Sequence, residues 1–255
     1  MLGQLLKFEH VRKNLQLHFL VRNLSGKELT DEKIQDFQLL ILAQGSIIFS
    51  LFLLELFIDL RFPYHIEAAE IIFFTTLGLY VFLLWDMLRN YTSNKTIIFL
   101  NFVFMLGLFI IGFIVANPFQ RMLVTTGFRL SLAGIHISLL IVECTVIYYT
   151  LLEFFKKDLG MPMRLWGAAC IYLMIGLAFG GAYEIICVLE IQCMGVDIPI
   201  QTMGLMKRYE FSLMILSGMD SPYNNANGMI LAMGMVEALV GQLFVVLIVG
   251  RLLMK

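Results

Sequence analysis

The chain has 255 residues, 60% of them hydrophobic and only 15% charged, with a mean hydropathy of +0.85. Soluble domains of this length are about half apolar and about a quarter charged, so an ordinary water-surrounded domain is excluded as the simplest reading. A net charge of −1 supplies no field that would recruit nucleic acid or an acidic partner.

Residues Met1 to Asp36 carry Lys7, Arg12, Lys13, Arg22, Lys27 and Lys33 interleaved with acids, without the apolar core and small-residue cleavage site of a signal peptide. Leu2, Leu5, Leu6, Val11, Leu15, Leu17 and Phe19 give a loosely amphipathic pattern. It predicts a helix lying on a membrane surface or on a neighbour, a solvated tail being the alternative. Six apolar segments follow, Phe37–Leu60, Ala68–Leu88, Thr96–Ala116, Leu123–Phe155, Leu165–Leu189 and Gly228–Leu253. About twenty residues cross a hydrocarbon core of ~30 Å, so each is a predicted transmembrane helix. A shorter piece, Thr202–Ser217, holds Lys207, Arg208 and Glu210 and is too short and too charged to span. Such a re-entrant piece is tolerated where protein or a water-filled vestibule satisfies its backbone.

Lys and Arg counts orient the chain. The N-terminal segment, Arg89 with Lys95, Lys156 with Lys157 and Arg164, and Arg251 with Lys255 fall on one side. Arg61, Arg121, Lys207 and Arg208 fall on the other, mixed with Asp59, Glu67, Glu190 and Asp197. The bias places both termini in the cytoplasm. Three parts are expected: a cytoplasmic N-terminal segment (1–36), where a cytoplasmic regulator has room to bind; a peripheral four-helix membrane domain (37–160); and a last third (161–255) built around the short piece.

Ionisable groups inside apolar segments are costly and usually face protein or water. Glu55, Asp59 and Glu70 lie near helix ends and are expected to snorkel. Asp86 beside Trp85 reads as an interfacial anchor. Arg129, His136 and Glu143 recur at seven-residue steps on one helical face. They are either a pH- or charge-sensitive stripe or structural pairs inside the bundle. A voltage sensor needs arginines at every third position, and this segment has one, so strong voltage gating is not expected. Cys144, Cys170 and Cys187 lie in apolar runs and read as packing residues, while Cys193 sits in a loop where a disulfide to another subunit is conceivable.

The last ninety or so residues resemble the pore module of bacterial six-helix channels of the potassium-channel superfamily. Arg164–Leu177 (RLWGAACIYLMIGL) is similar to the outer helix and Tyr209–Ser217 (YEFSLMILS) to the short pore helix. Val236–Leu252 (VEALVGQLFVVLIVGRL) is similar to the inner helix, with its Glu-Ala-x-x-Gly-Gln followed by an apolar run and a final Arg. The resemblance implies an all-α protein with six transmembrane helices and a re-entrant pore helix. It would form a homotetramer around the last two helices in a bacterial inner membrane, with membrane lipid and inorganic cations as partners. Glu237, Gly241, Gln242 and Val245 would then line the pore or form its gate. Gly241 is either a bending point or a packing glycine. Glu184 departs from the family, which is apolar there, and is expected either to support the filter or to pair structurally.

The filter departs most. In place of Thr-Val-Gly-Tyr-Gly the chain has Ser217-Gly218-Met219-Asp220-Ser221-Pro222. One register puts Asp220 and Pro222 at the two glycines, another puts Gly218 and Asp220 there. Proline is locked near φ −65°, so the first register forbids a potassium-type carbonyl ladder. Three readings stay open: an acidic ring of Asp220 carboxylates that binds the permeant cation, a structural turn, or a closed pore. No resident cofactor or metal is expected, and no phosphate loop, paired histidine or nucleophile elbow suggests catalysis. The expectation is a tetrameric cation channel with a non-potassium filter and weak or absent voltage gating. The alternative is a non-conducting, channel-derived scaffold or signalling protein, with Met219 or Tyr223 plugging the path.

Overall fold

The computed structural model describes residues 26–60, 65–115, 126–155, 160–190, 193–195, 202–220, 223 and 225–253, and the regular structure among them is all helical. Seven helices follow in order: α1 (Gly26–Leu60), α2 (His65–Tyr91), α3 (Lys95–Val115), α4 (Thr126–Phe154), α5 (Met161–Leu189), α6 (Thr202–Leu216) and α7 (Gly228–Leu253). Within α1, α4, α5 and α7, four stretches among the described residues are long and apolar enough to cross a membrane: Leu29–Leu53, Arg129–Phe154, Met161–Leu189 and Gly228–Ile248. That is the mark of a helical membrane protein.

Local chemistry sets several helix boundaries. Asn94 Oδ1 accepts from the Thr96 amide at the start of α3 (3.1 Å), and Asn227 Oδ1 accepts from the Ile230 amide at the start of α7 (2.8 Å). Both are N-caps that satisfy an amide the helix leaves open. Pro162 occupies the first turn of α5, where its missing N–H costs nothing.

The first helix begins at Gly26, eleven residues before the apolar run that predicted it, so a boundary at residue 36 falls inside α1. The reason is polar burial. Lys33 Nζ meets Glu153 Oε1 of α4 at 2.7 Å and lies over the Tyr91 ring at 4.9 Å, while Asn90 of α2 donates to Asp36. These groups draw the charged start of α1 into the bundle, where unpaired charge would be costly. Residues 1–25, where the amphipathic segment and a regulator site are expected, lie outside the described residues, as do the side chains of Glu55, Asp59 and Glu70.

Helix α5 is the hub. It packs on α1, α4, α6 and α7, and 67% of its spanning stretch is buried, against 28% for α7. Glycines make the close approaches. A Cβ on Gly180 would stand 2.5 Å from Tyr209 Cδ1 and 3.1 Å from Tyr209 Cα, and one on Gly176 would meet Leu213 and Leu216 at 3.0 Å. Small residues four apart let the α6 backbone lie directly on α5. Gly180→Ala is therefore expected to overpack this contact by about 1–3 kcal/mol. Its melting in detergent should fall below wild type, whereas Gly134→Ala, with nothing near its Cβ, should not lower it.

Candidate functional site

The path of α6 is fixed by contacts that step down α5 in antiparallel register. Arg208 Nη1 bonds Glu184 Oε2 at 2.6 Å, Tyr209 packs on Gly180, the Ser212 hydroxyl contacts the Gly176 carbonyl at 2.6 Å, and the Tyr172 hydroxyl donates to the Leu216 carbonyl at 2.9 Å. Leu216 also lies against Gly241, whose added Cβ would stand 2.7 Å from the Leu216 carbonyl oxygen. Gly241 is thirteen residues into α7, about 20 Å along its axis, and Tyr172 is seventeen residues before the end of α5, about 25 Å. Helix α6 thus ends about halfway along both neighbours. The chain then returns to the end where it entered: the Asn227 amide donates to the Cys193 carbonyl (2.9 Å) and Asn227 Nδ2 to Glu190 Oε2 (2.6 Å).

The same end is closed by a disulfide between Cys187 and Cys193, joining α5 to the turn that follows it. This corrects the expectation that Cys187 is only a packing residue and that Cys193 would pair, if at all, with another subunit. Gly195, at φ +74°, brings that turn onto the Asn225 backbone, where a Cβ would come within 2.2 Å of the Asn225 carbonyl oxygen. A left-handed, side-chain-free residue is required there.

At the foot of α6 the last carbonyls all find donors. Ser217 N bonds Leu213 O, Met219 N bonds Met214 O at 2.9 Å, Gly218 N bonds Ile215 O at 3.0 Å, and Tyr172 takes Leu216 O. The two middle bonds, with Gly218 at φ +81°, are a Schellman cap. Beyond the cap, Ser217, Gly218, Met219 and Asp220 are exposed, Met219 to 60%. Ser221 and Pro222 lie outside the described residues.

The residues expected along the pore separate into two faces. Gln242 and Val245 are exposed, and Gln242 Nε2 would stand 3.1 Å from a Cβ on Gly218, so it flanks the exposed stretch. Glu237 and Gly241, expected on that lining, are instead buried against α5 and α6. Glu237 is fully buried: Tyr183 of α5 donates to its Oε2 at 2.6 Å, and Ser212 of α6 contacts its Oε1. Gly241 packs rather than bends, because the end of α6 occupies the space a side chain would need.

Glu184 is buried and paired with Arg208, also buried, so its place is behind the exposed stretch as an ion pair between α5 and α6. His136 and Glu143 share the buried face of α4, while Arg129 is half-buried. His136 lies within the field of Arg208, and Glu143 within that of Tyr80 and Tyr209. His136 and Glu143 thus lie on the side of α4 turned toward groups of α6, and nothing places Arg129 there. No group of three or more His, Cys, Asp or Glu side chains suited to a metal occurs among the described residues. Sequence reasoning missed Arg208 as the partner of Glu184, and missed Tyr172 and Tyr183. The available signal was a basic residue inside a short apolar helix opposite an acid inside a long one.

Comparison with known proteins finds no matching family model, no matching curated protein and no matching solved structure.

Breaking one side of a buried ion pair leaves an uncompensated charge and costs about 3–5 kcal/mol, while replacing both partners by apolar side chains is often neutral. Glu184→Leu and Arg208→Met are each expected to lower the melting temperature strongly, and the double substitution to recover most of the loss. Additive losses in that cycle would mean that the pair does not hold α6 to α5.

Proposed function

We propose that the chain is one subunit of a homotetrameric cation channel, with α6 as a re-entrant pore helix and a filter that is not of the potassium type. The supporting observation is the exposed, non-helical stretch Ser217–Asp220 halfway along two helices that are long enough to span a membrane. Irregular backbone at that depth is tolerated only against protein or a water-filled cavity. On this reading several copies surround an axis lined by this stretch and the exposed face of α7. Gln242 and Val245 belong to that face, beside Leu239, Leu243 and Val246.

Six spanning helices, with α2 and α3 added to the four, place both termini on one side. The Cys187–Cys193 disulfide favours an oxidising compartment at the mouth, hence cytoplasmic termini. Because the α6 carbonyls are occupied, selectivity on this reading falls to side chains. The Asp220 carboxylates, repeated around an axis, attract cations and repel anions. His136 and Glu143, facing the back of α6, are where a charge-sensitive input would act.

Two experiments test the reading. In liposomes the purified protein should pass cations, and Asp220→Asn should change the ion preference or reduce the flux. Cysteines placed singly at Leu239, Leu243 and Val246 should cross-link between subunits. Absent flux with intact cross-links would favour the non-conducting scaffold, and absent cross-links would remove the pore.

A further inference from the structure

The inner helix carries one buried acid, Glu237, and the hydrogens around it can be counted. The Tyr183 hydroxyl lies 2.6 Å from Oε2, the Ser212 hydroxyl touches Oε1, and the same Ser212 oxygen lies 2.6 Å from the Gly176 carbonyl oxygen. A phenol and a serine hydroxyl hold one hydrogen each, and a backbone carbonyl holds none. Five oxygens therefore meet in three close contacts: Tyr183 Oη to Glu237 Oε2, Glu237 Oε1 to Ser212 Oγ, and Ser212 Oγ to Gly176 O. Three contacts need three hydrogens, and the two hydroxyls supply two.

With an ionised Glu237, Ser212 has one hydrogen for two acceptors, the carboxylate oxygen and the Gly176 carbonyl. One of the two contacts would then press oxygen on oxygen with nothing between them. With a proton on Oε1 every contact is a hydrogen bond in a single direction: Tyr183 donates to Oε2, Oε1 donates to Ser212, and Ser212 donates to Gly176. We infer that Glu237 is a proton-binding site, with the proton held on Oε1, and that this proton fastens the inner helix α7 to the foot of α6 and, through it, to α5.

The surroundings agree. Glu237 and Ser212 are fully buried, and among the described residues the side chains bonded to the Glu237 carboxyl are two neutral hydroxyls, with no salt bridge. From α5 the titratable groups facing it are Tyr183 and, at longer range, Tyr172. From α6 the group in contact is the non-titrating Ser212, one turn beyond an Arg208 already paired with Glu184. An unpaired carboxylate in such a site costs several times what a neutral acid does. Loss of the proton, as pH rises, would unfasten Ser212 from either α7 or α5. The inference concerns contacts within one chain and stands whether or not the pore conducts.

Infrared difference spectroscopy tests it on the full-length protein in detergent or lipid at neutral pH. Wild type minus Glu237→Gln should contain the carbonyl stretch of a protonated carboxylic acid, lost in the variant. The amide preserves the chain, its Nε2 donating to Ser212 and its Oε1 accepting from Tyr183, so this variant should melt with the wild type. Tyr183→Phe removes the donor to the C=O oxygen and should shift the same band to higher frequency. It thus supplies the readout should Glu237→Gln fail to fold. A carboxylate signature in place of the acid band, or a Tyr183→Phe spectrum without a shifted acid band, would overturn the assignment.

Discussion

A helix that stops halfway through an apolar bundle must satisfy its terminal carbonyls without bulk water, and the rest of the last third of the chain is arranged around that demand. Helix α6 meets it with four donors: the Ser217 amide, a Schellman cap closed by Gly218 and Met219, and the Tyr172 hydroxyl. Each donor fixes something else. Tyr172 sets the depth of α6 against α5, and Gly218 turns the chain so that Met219 and Asp220 leave the helix on its exposed side. Gly241 exists in that role because the Leu216 carbonyl comes too close to α7 for any side chain.

The two flanking helices respond unequally. Helix α5 packs on α1, α4, α6 and α7, which cover most of its apolar surface between Gly167 and Val188. Helix α7 buries one stripe, Ile230, Gly234, Glu237, Gly241 and Phe244, spaced alternately by four and three residues, and leaves its other described side chains half-buried or exposed. A stripe of that spacing is the footprint of a single packed neighbour layer. Among the described residues of α7 the exposed ones are apolar except Gln242, which lies beside the exposed stretch. A helix surrounded by lipid alone has no use for a glutamine at that depth. A helix facing a wet axis on one side and lipid or further copies on the others does, and this links the packing to the proposed pore.

Much of this was legible in the sequence because hydropathy and length depend on composition alone. Helices α4, α5 and α7 appear within a few residues of the apolar runs that predict them, and the short charged piece is a separate helix, Thr202–Leu216. The start of α1 was illegible because Lys33 and Asp36 read as solvent-facing charge, and only their partners Glu153 and Asn90, distant in sequence, make their burial tolerable. Glu237 was misplaced for a related reason. A periodic pattern tells which residues share a face, not which face meets the axis, and a resemblance assigns the acid to the lining by habit. The Cys187–Cys193 bridge was hidden because Cys187 sits in the last turn of an apolar helix, where a thiol and a packing residue look alike.

In the proposed channel, the chemistry of selection would follow from how the backbone is used at the foot of α6. A potassium-type filter needs left-handed residues in alternation so that successive carbonyls turn toward the axis, and it needs those carbonyls free. Here the left-handed residue, Gly218, is spent on stopping the helix. The carbonyls before it are already bonded, and the sequence continues Met-Asp-Ser-Pro. A potassium-type backbone ladder would need further left-handed residues where the sequence offers Asp and Pro. If ions pass, discrimination moves from fixed dipoles to side chains, chiefly Asp220 and Gln242, whose flexibility allows hydrated ions and favours charge sign over ionic radius. The ion pair of Arg208 with Glu184 and the Ser212–Glu237 chain stand behind this stretch rather than in it. They hold α6 at a fixed depth against α5 and α7.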